Sequence, residues 1–360
     1  MRLTKLEYVW LDGNDKVGLR SKSRNVNIKS ENPQTPPTID NIIEHAPEWS
    51  FDGSSTSQAE TELSDLILKP VKVFPNPFAG QNPHNAAFIV LCEVYDLEGN
   101  PHATNSRAIL RESYSNNKNS HNTIFSAEQE FVFWNPKENW PADWGDNGDL
   151  PEPQGSYYCG VGAGLTPLRY VIEQHAHACT QMGLYYEGNN AEVMKSQWEY
   201  QIGPLDAIDA ADSLWVSRYV LQRLAENRGV AINYDPKPIE GDWNGSGCHI
   251  NFSTNDMRNG DMEHIESVCE KLGESHETMM SSNVYGIDND KRLTGNHETS
   301  SIDTFSFGIS DRSASVRIPP TTVVNGGSGY IEDRRPAANM DPYLAYASLL
   351  DVLAPEDENA

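Results

Sequence analysis

The chain has 360 residues and carries 52 Asp and Glu against 27 Lys and Arg, a formal charge of −25. Apolar residues make up 38% of it, which is enough for a substantial core and too many for a disordered chain. The length predicts two or three compact domains or one large one. The acidity argues against nucleic acid or an anionic membrane surface as a partner, so an anionic substrate would need local Arg residues or metal ions.

The sequence predicts a cytoplasmic protein. No apolar run approaches the ~20 residues of a membrane helix, and the first residues, MRLTKLEYVWLDG, lack a signal-peptide core. The cysteines are odd in number, widely spaced and without a CxxC pair, at Cys92, Cys159, Cys179, Cys248 and Cys269. This usage argues against a disulfide framework or a zinc site and fits a reducing compartment.

The first part of the chain, residues 1–103, predicts a small and mostly β domain. Strands are expected at 5–12, at 67–75 with an interruption at Pro70, and at 86–96. Turn-forming Pro, Gly and Asn residues separate these strands.

The second part, residues 104–360, predicts a mixed sheet with helices on one side, and the whole chain is therefore of the α+β class. A strand is expected at 124–134, followed by a loop rich in Trp, Pro, Asp and Gly whose length suggests a function. Asp212 is expected to cap one helix, and Gly229 to follow its end. Apolar spacing predicts helices at 165–183, 212–229, 262–281 and 342–353.

Two carboxylates share one face of the strand at 124–134. Alternation places Glu128 and Glu130 together, opposite a face of Phe, Ala and Gln residues. Neighbouring like charges destabilise a sheet, and a bound cation would reverse that effect. For this pair alone, a solvated strand face is the favoured interpretation.

The same pattern recurs at Glu192, Glu199 and Glu332, which are isolated acids in apolar strands. The segment around Glu192 and Glu199 predicts a hairpin with one glutamate in each strand. His249 alternates with Ile250 after a Gly-rich turn; a lone histidine is often structural, but here it adds to an oxygen-rich set. This ligand set suits Mg²⁺ or Mn²⁺. Five negative charges balance two divalent ions to within one unit.

Arginines are concentrated in two segments near the end of the chain, DRSASVRIPP and EDRRP. Their members Arg312, Arg317, Arg334 and Arg335 are suited to bidentate recognition of carboxylate or phosphate, or to structural pairing with nearby Asp. Arg292 and Glu298 lie in a Gly-rich polar loop with the composition of a mobile flap. No P-loop and no GxGxxG pattern is present, so any nucleotide site would be of an unusual kind.

These segments together resemble the glutamine synthetase family, in its shorter type II form. The resemblance is carried, in the family's order, by WSFDGSSTSQA, FSAEQEF, PQGSYYCGVG, EGNNAEVMKSQWEYQIGP, DWNGSGCHINFST, DKRLTGNHETSS, DRSASVRIPP and GYIEDRRP. It implies a β-grasp domain at 1–103 and a catalytic domain with a curved antiparallel sheet at 104–360. It also implies a homo-oligomer of stacked rings, in which Asp52 enters the site of an adjacent subunit.

The resemblance also implies a role for each matching position. Glu128, His249 and Glu332 would hold one metal ion, and Glu130, Glu192 and Glu199 another. Glutamate would bind at Asn244, Gly245 and Arg292, with Arg312 and Arg334 near its reacting end. Asp52 and Glu298 would serve as the base and the flap residue. The positions expected near ATP are Glu128, Glu199, Tyr200, Gln201, Ile202, Gly203, Pro204, Asn251, Phe252, Ser253, Arg312, Arg317 and Tyr330.

The reaction implied is the ATP-dependent ligation of ammonia to L-glutamate, through a γ-glutamyl phosphate, in nitrogen assimilation. Arg317 and Arg334 would assist phosphoryl transfer as catalytic residues, together with two or more Mg²⁺ or Mn²⁺ ions per site. Three alternatives remain. They are a γ-glutamyl ligase that uses another amine, a non-catalytic structural relative, and a metal-storage or binding role.

Overall fold

The computed structural model describes residues 3–28, 35–79, 86–117, 122–145 and 150–353. The chain divides into two compact units, residues 1–109 with 177–184 and residues 110–176 with 185–360. The boundary between residues 103 and 104 stays a prediction. Within the described ranges, no helix combines the length and the apolar content needed to cross a bilayer.

The first unit contains a five-stranded sheet in the order β2-β1-β5-β4-β3. β1 and β5 pair in parallel, and the other pairs are antiparallel. Strand β4 continues through Pro70, where the pairing with β5 shifts its register, so the predicted interruption is a local irregularity. The elements are β1 (Thr4–Leu11), β2 (Leu19–Val26), α1 (Ile39–His45), β3 (Trp49–Asp52), β4 (Asp65–Pro75) and β5 (Ala87–Tyr95).

One face of this sheet forms a core that includes Leu6, Tyr8 and Trp10 of β1, and Ile42 of α1 packs into it. The short helix α1 was not expected from the sequence, because seven residues give little periodicity. Thr38 caps it by accepting a hydrogen bond from the backbone N–H of Asn41 at 3.2 Å. Tertiary packing and the cap therefore stabilise a helix that has little intrinsic tendency to form.

The second unit is organised around a nine-stranded sheet. It begins within α2 (Ser106–Asn116) and also contains most of α3 (Arg169–Gln181). The strands are β6 (Ile124–Asn135), β7 (Trp140–Pro141), β8 (Tyr186–Ala191), β9 (Gln197–Leu205), β10 (Ala231–Asn233), β11 (Cys248–Ser253), β12 (Phe307–Ile309), β13 (Val316–Ile318) and β14 (Ile331–Asp333). The remaining helices are α4 (Ala207–Glu226), α5 (Asn255–Asn259), α6 (Met262–Glu274), α7 (His276–Ser281), α8 (Pro320–Val324) and α9 (Pro342–Val352).

The strand order in this sheet is β12-β13-β14-β11-β6-β9-β8, with β7 and β10 also pairing with β6. The pairs are antiparallel except β12 with β13, which is parallel, so the sheet is mixed rather than wholly antiparallel. β6 pairs with four strands along its length and is the element from which the site is built.

Two helix predictions were wrong in detail. Helix α4 begins at Ala207, not at Asp212, and its cap is Asp206, whose Oδ1 accepts the backbone N–H groups of Ile208 and Asp209 at 3.1 Å. Asp212 is instead fully buried within the helix, where it accepts a hydrogen bond from the Tyr343 hydroxyl at 2.7 Å. The single helix expected at 262–281 is two helices, α6 and α7, which meet at Ser275.

Candidate active site

Cross-strand register brings the predicted acidic residues together. Glu128 on β6 lies opposite His249 on β11 and opposite Gln201 on β9. Two residues along, Glu130 lies opposite Glu199. On the other side of β11, Glu332 lies opposite both Asn251 and Arg317. The predicted alternation along β6 is confirmed: Phe125, Ala127, Gln129, Phe131 and Phe133 are buried on the opposite face.

A polar cavity of about 490 Å³ opens over this face of the sheet, within the second unit. Acidic, basic and amide side chains converge on it from strands and loops that are distant in the sequence. Of the predicted residues, its walls contain Glu128, Glu130, Glu192, Glu199, Gln201, Asn244, Gly245, His249, Arg292, Glu298, Arg312, Arg317 and Arg334.

Glu128, His249 and Glu332 form a cluster that could hold a metal ion. One ligand atom from each lies within 4.8 Å of the others, and Nδ1 of His249 is 3.6 Å from a carboxylate oxygen of both acids. This Nδ1 is buried and has no hydrogen-bond partner among the residues that the structure describes. Burial, then the Arg334 guanidinium, lowers the pKa of His249 well below its usual value. The ring is therefore neutral at physiological pH, the form that binds metals.

Glu332 is buried and is balanced by two arginines. Its carboxylate oxygens accept hydrogen bonds from Nη1 of Arg317 and Nη1 of Arg334, each at 2.5 Å. Charge-assisted bonds of this kind are stronger than neutral ones. The sequence suggests ligand recognition or structural pairing as roles for these arginines. Both roles are open to them, since they pair with a buried acid and also line the cavity.

A second acidic cluster consists of Glu130, Glu192 and Glu199. Glu192 is the first residue after β8 and lies in the turn before β9. The prediction that it lies within a strand was therefore wrong. Burial, then the charge of Glu192, raises the pKa of Glu130 to about 8. Burial likewise raises the pKa of Glu192 to about 7 and that of Glu199 well above its usual value. The raised pKa values show that nearby positive charge does not compensate these carboxylates, and a divalent cation would compensate them.

The raised pKa values predict how the stability of the metal-free chain depends on pH. From pH 6.5 to 8 the folded chain keeps protons on Glu130 and Glu192 that the unfolded chain has released, so its stability falls as pH rises. His175 and His249, whose pKa values are lowered by burial, act in the opposite direction only below about pH 6.5. We expect the increase in melting temperature on adding Mn²⁺ to grow across this window, as measured by calorimetry. An increase that shrinks with pH would contradict this prediction.

A rigid segment closes one side of the cavity beside the second cluster. A Cβ at Gly245 would lie 2.5 Å from Cγ of Arg292 and 2.5 Å from the carbonyl oxygen of Pro236, so only glycine fits there. Arg292 is buried, and its Nη2 donates to the carbonyl oxygens of Arg334, Arg335 and Pro336 at 2.7–3.0 Å. Asn244 accepts a hydrogen bond from Gln154 at 2.8 Å.

The predicted flap lies at the mouth of the cavity. Its two central residues, His297 and Glu298, both have positive φ angles, 53° and 61°, which are uncommon outside glycine. His297 Nε2 is 3.4 Å from Asp242 Oδ1, on the loop that leads to Gly245. The flap therefore contacts the loop that carries Asp242 through His297, and Glu298 lines the cavity.

The positions expected near ATP differ in whether their side chains are available to a ligand. Gln201 donates to Glu199 at 2.9 Å and Asn251 to Glu128 at 2.7 Å, so both contact predicted metal ligands. Tyr330 is partly exposed. The side chains of Tyr200, Ile202 and Phe252 are buried in the core, so only their backbone could contact a ligand. Ser253 donates to the Gly329 carbonyl, and Gly203 and Pro204 are joined by a cis peptide bond.

Asp52 lies at the end of β3 in the first unit and is exposed. Its Oδ1 accepts from the backbone N–H and the hydroxyl of Ser54, at 3.0 and 2.7 Å, and its Oδ2 accepts from the Ser55 hydroxyl at 2.7 Å. These hydrogen bonds hold the pKa of Asp52 well below its usual range. Asp52 is thus ionised at physiological pH and suited to binding a small cation.

The sequence reasoning did not single out Gln154, Tyr158 or Gln197, although all three line the cavity. Alternation along β9 does place Gln197 on the same face as Glu199 and Gln201, but this pattern alone assigns it no role. Gln154 and Tyr158 lie in the long loop after β7 and carry no periodic signal.

Comparison with known proteins identifies the family. Residues 2–97 match the model of the glutamine synthetase beta-Grasp domain, and residues 103–353 match that of the glutamine synthetase catalytic domain. A glutamine synthetase from Candida glabrata is 45% identical over 359 residues, covering 98% of this chain and 90% of its own. A chloroplastic glutamine synthetase from Brassica napus is 44% identical, covering 96% and 77%. A cryo-EM structure of Plasmodium falciparum glutamine synthetase superposes with a TM-score of 0.74 at 18% identity, covering 96% and 71%.

The fold is thus that of a two-domain α+β protein with a β-grasp domain followed by a catalytic domain, as the resemblance implied. The chain belongs to the glutamine synthetase family.

Proposed function

We propose that this chain is a glutamate–ammonia ligase, which joins ammonia to L-glutamate at the expense of ATP and forms glutamine, ADP and phosphate. Its family membership and one observation support this function. Glu128 and His249 of the first cluster line a single cavity together with the second acidic cluster, Gly245 and Arg292, and the buried Glu332 completes the first cluster behind them. A metal-storage or purely binding protein would not need the arginines, and a non-catalytic relative would not need the unpartnered His249.

The donor sets suit divalent cations, Mg²⁺ or Mn²⁺. Among the described residues, ligand atoms of Glu128, His249 and Glu332 lie within 4.8 Å of one another, and Glu130, Glu192 and Glu199 line the cavity beside Glu128 and His249. We assign Glu128, His249 and Glu332 to one ion and Glu130, Glu192 and Glu199 to the other. The unpartnered Nδ1 of His249 and the raised pKa values of the second cluster support this assignment. When bound, such ions neutralise the charge that develops on a transferring phosphoryl group.

The protein's own side chains would orient the substrates. Asn244, Gly245 and Arg292 would hold glutamate, with its γ-carboxylate directed toward Arg312 and Arg334. ATP would lie along 199–204 and 251–253, in contact with Tyr330 and with Arg312 and Arg317. A carboxylate is a poor acyl donor, so its phosphorylation to γ-glutamyl phosphate must precede attack by ammonia. Arg317 and Arg334 would stabilise the charge on the equatorial oxygens during transfer.

The acyl phosphate must be kept from water, which is a reason for a closing flap. Glu298 would complete the site from the flap. Ammonium must lose a proton before it can attack, and a carboxylate is suited both to binding it and to receiving that proton. We assign this role to Asp52, delivered from an adjacent subunit of a homo-oligomer of stacked rings. We also propose a cytoplasmic location and a role in nitrogen assimilation.

The function is tested by measuring ATP hydrolysis with each component left out in turn. We expect hydrolysis only when L-glutamate, ammonium and Mg²⁺ or Mn²⁺ are all present, with glutamine as the product. Methylamine or a polyamine used more efficiently than ammonium would instead favour a γ-glutamyl ligase for another amine. Hydrolysis independent of glutamate would overturn both assignments.

Replacing Asp52 by asparagine tests the ammonium role. The change keeps the shape of the side chain but removes its charge, so we expect the turnover number to fall about 10²–10⁴-fold, with little change in the KM for ATP or glutamate. Steady-state kinetics at varied ammonium concentrations provide the measurement. Asp96→Asn is the matched control, because Asp96 also caps a turn of the first unit and has no assigned role. Equal loss of turnover in both variants would contradict the role of Asp52.

A further inference from the structure

Gln197 connects three parts of the cavity through one side chain. It is the first residue of β9, and only 2% of its surface is exposed. Its side-chain nitrogen Nε2 lies 3.1 Å from Oε2 of Glu130, 2.8 Å from the carbonyl oxygen of Gly245 and 3.1 Å from the Ser246 hydroxyl. A carboxamide has two N–H donors, so it can serve Glu130 and Gly245 at the same time.

The backbone of the same residue fixes the turn that carries Glu192. The Gln197 carbonyl accepts the backbone N–H of Glu192 at 2.9 Å, and its own N–H donates to the Met194 carbonyl at 3.0 Å. The side-chain Oε1 accepts the N–H of Met194 at 3.4 Å. Gln197 therefore touches two acids of the second cluster and the segment assigned to glutamate.

A second link joins the same partners and supports this view. Oε2 of Glu130 also accepts the backbone N–H of Gly247 at 2.8 Å, and the Glu130 N–H donates to the Gly247 carbonyl at 3.0 Å. Glu130 is thus held against the 245–247 segment both directly and through Gln197, and Gln197 is the link that can be replaced without removing a proposed metal ligand. Gly245 is closely surrounded, because a Cβ there would lie 2.5 Å from Cγ of Arg292 and from the Pro236 carbonyl oxygen.

We infer that Gln197 is a positioning residue that couples divalent-cation binding at Glu130 and Glu192 to glutamate binding at Gly245. This inference rests on the proposed function. A cation that fixes the Glu130 carboxylate would also fix the amide of Gln197, and through it the Gly245 carbonyl. Glutamate bound at Gly245 would favour the same arrangement from the other side. Such coupling is reciprocal, so each ligand must tighten the binding of the other by the same factor.

The coupling is measured by titrating the full chain with Mn²⁺ and following free Mn²⁺ by electron paramagnetic resonance, with and without saturating L-glutamate. We expect glutamate to tighten Mn²⁺ binding to the wild-type chain at least about fivefold. In Gln197→Met we expect Mn²⁺ binding about 10–100-fold weaker and the effect of glutamate to be lost. Methionine is chosen because it fills a similar volume without a hydrogen-bond donor.

Gln129→Met is the matched control, made on the neighbouring strand β6. Gln129 is also fully buried, but its carboxamide lies on the other face of the sheet, where it contacts Arg218, the Ala338 carbonyl and the backbone carbonyl of Glu130. We expect this variant to be less stable and yet to keep the coupling factor of the wild-type chain. If both variants lose the coupling equally, the effect is one of general packing and the inference is wrong.

Two further outcomes are decisive. If circular dichroism shows that Gln197→Met does not fold, the Gln197→Glu variant is measured in its place. The glutamate side chain introduced at position 197 has the same shape as glutamine but no N–H to donate to the Gly245 carbonyl. We therefore expect the effect of L-glutamate on Mn²⁺ binding to disappear, whether the variant binds Mn²⁺ more or less tightly. A folded variant that keeps the coupling overturns the inference while the proposed function stands. A wild-type chain without glutamate-dependent ATP hydrolysis overturns the proposed function, and the inference with it.

Discussion

Replacing Glu332 by glutamine is expected to lower glutamine formation about 100-fold or more. The change keeps the shape of the side chain, but it removes the charge that lies 3.6 Å from His249 Nδ1 and the anion to which Arg317 and Arg334 both donate. One proposed metal ion loses a ligand, and the two arginines lose the partner that fixes them. Effects of this size are usual when a preorganised charge or a metal ligand's partner is removed.

The same change is expected to destabilise the chain. Glu332 is 1% exposed, and removing one member of a buried ion pair leaves the other charge uncompensated, at a cost of about 3–5 kcal/mol. Urea unfolding with and without Mn²⁺ separates the two effects, because only the wild-type chain should gain stability from the metal at this cluster. Glu226→Gln is the control, since Glu226 forms an exposed pair with Arg223 on α4. Turnover by Glu332→Gln within twofold of the wild-type rate would refute its role as a ligand.

The sequence reveals most about the site where local periodicity decides the structure. Alternation along β6 was enough to place Glu128 and Glu130 on one face, and the same rule oriented His249 on β11. It could not reveal that His249 lies opposite Glu128, or Glu130 opposite Glu199. Those pairs depend on strand order and register, and β11 joins β6 across more than a hundred residues of sequence.

The errors in the helices have the same origin. Asp206 and Asp212 are both typical cap residues near the start of α4, and the local sequence favours neither strongly. The choice depends on a contact with a distant residue, since the Tyr343 hydroxyl satisfies Asp212 inside the helix. Local sequence disfavours an acid inside a buried helix, but a hydrogen bond from a distant residue stabilises Asp212 there.

The role proposed for Asp52 shows what only the resemblance could suggest. As a local feature, WSFDG is a turn in which Asp52 accepts hydrogen bonds from Ser54 and Ser55. Such turns are common, and nothing in the chain's composition or periodicity separates a functional one from a structural one. Its assignment therefore comes from the resemblance, which implies an assembly in which Asp52 enters the site of an adjacent copy.

Replacing Arg292 by lysine is expected to raise the KM for glutamate at least about tenfold, with a smaller change in the KM for ATP. Lysine keeps a positive charge but lacks the planar group whose Nη2 lies 2.7–3.0 Å from three backbone carbonyls and whose Nε donates to Asn289 at 3.1 Å. Without that group, the 334–336 carbonyls lose donors, whereas the Cγ and Cδ atoms beside Gly245 are kept. We also expect the free energy of unfolding to fall by about 1–3 kcal/mol, the usual cost of unsatisfied buried polar groups.

The control is Arg223→Lys, which makes the same chemical change on the exposed side of α4, where Arg223 contacts Glu226 and the Tyr219 hydroxyl. A surface change of this kind usually alters stability by less than about 0.5 kcal/mol, and neither KM should move. Initial rates at varied glutamate and varied ATP, with urea unfolding of both variants, provide the measurements. Since Arg292 is tied to the backbone that carries Arg334 as well as to Gly245, a structural role alone would lower stability and turnover without a selective change in the KM for glutamate. That result would remove Arg292 from the glutamate site, whereas a selective rise in this KM would support its place there.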